Sequence, residues 1–138
     1  MLKAMLIPLG EKPKVIDISK TDICKEFHNL VGGTFDMIDW AFTDQNIDLV
    51  INDEGKFTCS PNRAIYSDKE GIGWDNKPIH KGDVLDIIFG DFIAIGFDPE
   101  TGDSRSLTDD EIKLVRDRFG ENTILSGYLE ALKIKSRA

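Results

Sequence analysis

The sequence predicts an α+β domain built on an antiparallel sheet, with one helix after an opening hairpin and two helices at the C-terminal end. Three observations predict this class. The chain has 138 residues, the size of one domain; 41% of them are hydrophobic; and strand-like alternation is interrupted by separate stretches of helical spacing. The predicted order is β-β-α-β-β-β, a polar segment, then β-β-α-α, and such an order favours antiparallel pairing. We therefore expect residues 1–138 to form a single α+β domain.

The first elements are a hairpin and a helix. Residues 2–9 and 14–18 are predicted strands joined by a turn that contains glycine and proline. Apolar residues recur at helical spacing over 21–31, so this stretch is a predicted helix. Thr21 is a suitable cap for its start, and Gly32–Gly33 is a typical end.

Sheet is predicted to dominate the middle of the chain. Residues 34–40 alternate as a strand does, and 47–60 has the pattern of a hairpin that turns at 53–55. Residues 67–83 are polar and rich in turn-forming residues around Trp74. This segment is predicted to be an exposed flap or an extended hairpin.

The C-terminal part begins with the most strand-like block, residues 85–98, which Gly90 interrupts. A glycine in such a run predicts a bulge or a close approach by another backbone or a ligand. Thr108 and Glu111 have the spacing of a capping box, which predicts the start of a helix. A last helix is predicted over about residues 122–132, and its broad apolar side suggests an oligomer interface.

Charge and cysteine content exclude several classes of protein. The chain has 25 acidic and 17 basic residues and a net charge of −8, so its average field repels nucleic-acid polymers and anionic membranes. The apolar runs are too short to span a bilayer, and the first residues lack the pattern of a signal peptide. We expect a cytoplasmic protein. Cys24 and Cys59 form no CxxC pair, and no metal, disulfide or cofactor is expected.

Catalytic patterns are weak. A serine or cysteine nucleophile needs a base, and only His28 and His80 are natural bases at neutral pH. Neither glycine-containing stretch has the spacing of a phosphate-binding loop. Three pairs of carboxylates close in the sequence could bind magnesium, but closeness in sequence does not by itself place their oxygens around one ion. The pairs are Asp109 with Asp110, Asp36 with Asp39, and Asp53 with Glu54. A binding protein is favoured over an enzyme.

The stretch SPNRAIY (60–66) contains the candidate ligand-binding arginine, Arg63. A guanidinium can form a fork on a phosphate or stack on a base, and Asn62 can donate and accept hydrogen bonds. Phe89 or Phe92 could stack on an adenine. The alternative is an exposed arginine after a turn that pairs with one of the many acids.

Three basic side chains of the predicted helix after Thr108 could add positive charge to such a pocket. They are Lys113, Arg116 and Arg118. Their alternative is a solvated helix face.

Four blocks occur in order along nearly the whole chain: LVGGTFD (30–36), INDEGKFTCSPNRAIY (51–66), DIIFGDFIAIGFD (86–98) and SLTDDEI (106–112). Together they resemble a family of small phage, prophage and plasmid-borne proteins catalogued as a domain of unknown function. The chain also resembles the first family of Thoeris anti-defence sponges. That resemblance implies a protein that sequesters cyclic ADP-ribose isomers, and possibly cyclic di- or trinucleotides, without cleaving them.

The resemblance also implies particular binding residues. Gly32 and Gly33 match the glycine pair, Arg63 matches the arginine of the PNR block, and Phe92 matches the aromatic residue after the strand glycine. It implies a homo-oligomer with pockets between subunits. The 67–83 segment is longer than the family pattern, which alters the spacing between Arg63 and Phe92.

Two alternatives from other classes stay open. Residues 83–111 contain nine acids and one base, which suggests an acidic inhibitor that contacts a host defence protein directly. The other alternative is a small nucleotide hydrolase or lyase.

Overall fold

A computed structural model describes residues 1–120 of the chain. These residues form ten strands and three helices around one main sheet and two short two-stranded sheets. In chain order the elements are β1 (Leu2–Ile7), β2 (Lys14–Ile18), α1 (Ile23–Val31), β3 (Phe35–Ile38), β4 (Ile47–Asn52), α2 (Gly55–Thr58), β5 (Pro61–Tyr66), β6 (Gly71–Ile72), β7 (Pro78–Ile79), β8 (Val84–Phe89), β9 (Phe92–Phe97), β10 (Ser104–Arg105) and α3 (Asp109–Arg118). The predicted α+β class with antiparallel sheets is confirmed.

The main sheet has the order β2-β1-β9-β4-β3, and all its pairs are antiparallel. Strand β9 is central: its first half pairs with β1, its end pairs with β10, and its other side pairs with β4. Four of its six residues, Ile93, Ala94, Ile95 and Phe92, are fully buried. A strand buried on both faces is apolar without alternation, which is why this run is the most hydrophobic in the chain.

Helix α1 covers one face of the main sheet. Phe27 and Val31 pack against residues of β1, β2, β4 and β9, which gives a core cluster of Ala4, Ile18, Phe27, Val31, Val50, Ile93 and Ile95. The helix ends where predicted, at Gly32, whose φ of +81° favours glycine. The predicted cap was wrong: the N-cap position is Asp22, and Thr21 lies outside the helix.

The opposite face of the sheet packs against the β5–β8 pair and α3. Their larger cluster includes Met5, Leu49, Ile65, Phe92 and Phe119. Helix α3 starts with the predicted capping box: the Glu111 amide donates to Thr108 Oγ1 at 3.2 Å, and the Thr108 amide donates to Glu111 Oε1 at 2.9 Å. The domain therefore has three layers: α1, the main sheet, and a layer that contains the β5–β8 pair and α3.

One predicted strand pairing was wrong, and the strands of a second region belong to different sheets. Residues 47–60 do not form a hairpin, because β4 leads into α2, and the partners of β4 are β3 and β9. Residues 85–98 form two strands, as the predicted order has it, but the two lie in different sheets: β8 pairs with β5, whereas β9 belongs to the main sheet. Gly90 makes the turn between them with a φ of +83°, and a side chain there would come 2.9 Å from Cys59 Sγ. The group that approaches Gly90 closely, as predicted, is therefore a protein side chain, that of Cys59.

The polar 67–83 segment includes the short β6–β7 hairpin, at whose turn Trp74 is fully exposed. The helix predicted over 122–132, with its proposed oligomer interface, lies outside the described residues.

Candidate functional site

Arg63 lies in the interior of the protein. It is on β5, and only 1% of it is exposed. Its Nε donates to the Phe119 carbonyl at 3.2 Å, its Nη2 donates to the Glu11 carbonyl at 2.6 Å, and its Nη1 donates to Asn62 Oδ1 at 2.7 Å. The alternative of an exposed arginine is therefore wrong. The guanidinium joins β5 to the β1–β2 turn and to the end of α3.

Asn62 completes this buried network. Its Nδ2 donates to the Ile7 carbonyl at 2.9 Å and to the Gly90 carbonyl at 2.8 Å, while its Oδ1 accepts from Arg63. Both carbonyls belong to residues at the ends of strands or in turns. The side chain thus satisfies backbone groups that the sheets leave unpaired.

Phe92 also belongs to this region of the interior. It is fully buried, and its ring lies edge-on to Phe119 with the centroids 5.2 Å apart. The structure therefore brings Arg63, Asn62 and Phe92 together around Phe119. The side-chain donors of Arg63 and Asn62 are already hydrogen-bonded to other protein atoms, and the Phe92 ring is buried against Phe119. These groups are therefore not exposed for the predicted contact with a nucleotide. Their role in ligand binding stays a prediction.

The predicted glycines and Phe89 lie elsewhere. Gly32 ends α1, and a side chain at Gly33 would come 3.3 Å from Asn52 Nδ2. Phe89 is half-buried and lines a depression of about 100 Å³ together with Asn52, Lys56 and others. The Lys56 ammonium is 3.3 Å from Asp86 in this depression.

The two predicted arginines of α3 differ from each other. Arg118 donates to the Ala41 carbonyl at 2.9 Å and to Asp68 at 3.1 Å, and its guanidinium lies 4.6 Å from the centre of the Phe42 ring. Burial alone would raise the pKa of Asp68, but hydrogen bonds from Thr43 and Arg118 outweigh it and lower that pKa. Arg116 is exposed, as is Lys113.

A larger cleft lies on the α1 side of the main sheet. Its volume is about 300 Å³, and its walls come from the start of α1, from β3, and from the turn between β9 and β10. The lining residues are Lys20, Ile23, Cys24, Phe27, Phe35, Met37, Gly102, Asp103 and Ser104. We call it the α1–β3 cleft.

The walls of the α1–β3 cleft are apolar and its rim is polar. Phe27 and Phe35 stand edge-to-face with their centroids 5.4 Å apart, and Met37 on the edge strand β3 is 40% exposed. The exposed Lys20 and Asp103 bring one charge of each sign to the rim. Apolar walls with a few polar groups are typical of small-molecule sites.

Sequence reasoning missed this cleft. It predicted a helix over residues 21–31 and a strand over 34–40, but it did not bring the two elements together. Asp48, which interrupts the apolar run IDLVIN of β4, is not among the residues that line the cleft. Asp48 is only 7% exposed, and burial, with the nearby Asp39 carboxylate, raises its pKa.

Residues 1–120 contain no group of three His, Cys, Asp or Glu side chains arranged to hold a metal ion. No helix in the same range is long and apolar enough to cross a membrane.

Comparison with known protein families shows which family the chain belongs to. Residues 2–120 match the family described as "Domain of unknown function (DUF3846)". The chain belongs to this family. The DUF3846 match covers the entire described domain apart from Met1. Neither the curated proteins nor the solved structures include a match. The family description states no activity, so the resemblance to Thoeris sponges stays a prediction.

Proposed function

We propose that this DUF3846 protein binds and sequesters a small cyclic nucleotide, such as a cyclic ADP-ribose isomer or a cyclic di- or trinucleotide, and that the α1–β3 cleft receives it. The observation that carries this proposal is the cleft itself, about 300 Å³ of space between aromatic and aliphatic side chains. Ligand pockets usually measure roughly 300–1,000 Å³. The cleft is therefore large enough for a base and part of its sugar.

The side chains of the cleft favour one orientation of such a ligand. A base ring would lie among Phe27, Phe35 and Met37, where its burial is favourable. Lys20 is exposed at the rim, so its ammonium could approach a phosphate that stays near solvent. Asp103 would repel a phosphate at the other side of the rim.

The proposal includes self-association, as the sponge resemblance implies. A cleft that holds the base and leaves the phosphates at its rim would sequester a ligand more tightly if a second protomer covered the rim. Sedimentation of the protein with and without bound nucleotide tests this part.

The decisive experiment is to incubate the purified protein with cyclic ADP-ribose isomers and cyclic dinucleotides, remove free ligand, denature the protein by heat and identify what is released. Recovery of intact nucleotide supports sequestration. Recovery of a converted product places the protein among enzymes instead. If a demonstrably folded protein releases nothing, the proposal fails.

A pair of tryptophan substitutions on α1 locates the site. Cys24 is exposed and lines the cleft, whereas Asn29 is exposed on the same helix and does not. Cys24→Trp fills the cleft and should weaken binding at least about tenfold, because the base then loses its space. Asn29→Trp should bind as the wild type does. If both variants bind normally, the ligand lies elsewhere, and the depression beside Phe89 is tested next.

A second candidate function is direct contact with a host defence protein. The fully exposed Trp74 and the 75% exposed Ile72 favour it, because both lie on the β6–β7 hairpin. The turn holds its shape through a hydrogen bond from the Gly73 amide to the Lys77 carbonyl at 2.9 Å. Tryptophan is enriched at the centres of protein interfaces. A nucleotide-independent complex that Trp74→Ala disrupts would support this function.

A further inference from the structure

Strands β3 and β8 each have an edge that pairs with no other strand of residues 1–120. Strand β3 is the last strand of the main sheet, and β8 forms a two-stranded sheet with β5. The amide and carbonyl groups along such an edge can pair with a strand of another chain, which leads to aggregation. Both strands are mostly apolar, with the sequences FDMI and VLDIIF. Each edge therefore needs protection against pairing with another chain.

At the β3 edge, a side chain of the same strand takes up a backbone amide. The Asp53 amide donates to the Thr34 carbonyl, so Thr34 faces β4. The backbone groups of successive residues in a strand point to alternate sides, so those of Asp36 face β4 and those of Met37 face the open edge. The Met37 amide donates to Asp36 Oδ1 at 2.9 Å. The carboxylate therefore occupies a donor that a strand of another chain would need.

The β8 edge has the same arrangement. The Gly90 amide donates to the Ser60 carbonyl, so Gly90 faces the β5 side. By the same alternation, the backbone groups of Ile87 face away from β5. The Ile87 amide donates to Asp86 Oδ1 at 2.8 Å. Two edges from different parts of the chain thus each have an aspartate that accepts from the outward amide of the next residue.

Other groups of the β8 edge are also covered or charged. Helix α2 covers its end, since a side chain at Gly55 would come 2.7 Å from the Phe89 carbonyl oxygen. The Lys56 ammonium lies 3.3 Å from Asp86 and brings a second charge to this edge. Charged side chains and covering segments are common means by which natural proteins keep sheet edges from pairing.

We propose that Asp36 and Asp86 protect the two sheet edges from pairing with a second copy of this chain. Each carboxylate holds the outward amide of the next residue as an acceptor. When two identical edges pair around a two-fold axis, the same residues of both copies meet, so each carboxylate also repels its counterpart. This role does not depend on a nucleotide ligand. The contact that it prevents differs from one in which a second protomer covers the rim of the α1–β3 cleft.

Asp36→Ala tests the β3 edge against Asp39→Ala. Both acids are exposed and both variants lose one negative charge, but no amide within residues 1–120 donates to Asp39. In Asp36→Ala, amide hydrogen exchange at Met37 should be about tenfold faster, because the amide loses a charged acceptor. The self-association constant from sedimentation equilibrium should also rise about tenfold, because two paired copies each regain a hydrogen bond. Asp39→Ala should keep both values within about twofold of the wild type.

Asp86→Ala tests the β8 edge against Lys56→Ala. Lys56→Ala removes the ion pair but leaves the bond from the Ile87 amide to Asp86 in place. Exchange at Ile87 and self-association should therefore rise about tenfold in Asp86→Ala and stay close to the wild type in Lys56→Ala. The double variant Asp36→Ala/Asp86→Ala releases both edges of each copy. It should form open-ended assemblies, detected by light scattering.

Three results would overturn the proposal. If exchange at Met37 and Ile87 is unchanged in the alanine variants, Asp36 and Asp86 do not hold these amides. If exchange rises but no variant self-associates more than the wild type, the bonds do not keep the edges apart. Equal self-association of Asp36→Ala and Asp39→Ala would assign the effect to charge alone. All measurements use the full chain without nucleotide, with circular dichroism to confirm folding, so their outcome is independent of the proposed function.

Discussion

Two buried polar regions of this molecule differ in whether the protein satisfies them. Around Arg63 and Asn62, guanidinium and amide groups donate to backbone carbonyls of four separate segments. On the α1 side of the sheet, Asp48 is 7% exposed, and its carboxyl has no hydrogen-bond or ion-pair partner within residues 1–120. Burial alone therefore does not indicate function. A buried polar group that the protein satisfies stabilises the fold, and one that it leaves without a partner lowers the stability of the fold.

The largest expected effect is at Arg63. Arg63→Met keeps the bulk of the aliphatic stem but leaves the carbonyls of Phe119 and Glu11 without this donor, and we expect a loss of about 3 kcal/mol or more in the free energy of unfolding. Arg116→Met on the exposed side of α3 is the matched control and should change stability by less than about 0.5 kcal/mol. Urea denaturation of both variants measures the contrast. Equal stability of the two variants would show that the buried network does not hold the fold.

Asn62 should have the second largest effect. Asn62→Ala leaves the Ile7 and Gly90 carbonyls unpaired and removes an acceptor from Arg63, so we expect a loss of about 2 kcal/mol. Because the two side chains share one network, the Asn62→Ala and Arg63→Met losses should not add in the double variant. Additive losses would mean that the two residues act independently.

Glu111 is a buried carboxylate whose ionic partner, Arg105, is partly exposed. Arg105 donates to both of its carboxylate oxygens, at 2.7 and 3.0 Å, and the residue also closes the capping box. Burial alone would raise its pKa, but the hydrogen bonds from Arg105 and Thr108 lower it. A lowered pKa stabilises the fold above the ordinary pKa of glutamate, and this stability is lost as the pH falls through the lowered value. Glu111→Gln should cost about 1 kcal/mol at pH 7 and progressively less in acid, by urea titration at each pH.

Asp48 should have the smallest effect on stability, and of the opposite sign. Its pKa is raised in the folded state, so folding favours its protonated form; its contribution is most favourable at acid pH and is lost as the pH rises through the raised pKa. Asp48→Asn should therefore raise the melting temperature slightly at pH 7, and the gain should shrink at acid pH. A lower melting temperature at pH 7 would contradict the absence of a partner for this carboxylate.

The contrast between these regions also explains which parts of the site were predictable. Of the predicted binding residues, Arg63, Asn62 and Phe92 lie close together, because β5 pairs with β8 and β9 begins three residues after β8 ends. Their burial was not predictable from SPNRAIY, since nothing in that stretch shows that α3 and the β1–β2 turn cover it. The walls of the α1–β3 cleft come from the start of α1, the edge strand β3 and the distant β9–β10 turn. No local sequence pattern predicts that these three segments meet.

The errors in the fold have a similar cause. The interruption of 85–98 at Gly90 was predicted to be a bulge or a close approach, but Gly90 turns the chain, so that β8 and β9 join different sheets. Residues 47–60 were taken as a hairpin because the turn signal at 53–55 is real, but α2 follows it. In both regions the break in the strand pattern was located correctly, but the partners of the strands on either side of it were not.

The amino-acid sequence by itself determined the α+β class, the end of α1 at Gly32, the capping box of α3 and the interruption of the strand pattern at Gly90. These features depend on neighbouring residues, through hydrophobic spacing, side-chain capping and the φ angles that glycine permits. Only the tertiary structure decided that Arg63 is enclosed and satisfied while Asp48 is enclosed and left without a partner. The reason is that both burial and hydrogen-bond satisfaction depend on atoms from segments far apart in the chain, which meet only when the sheets and helices pack.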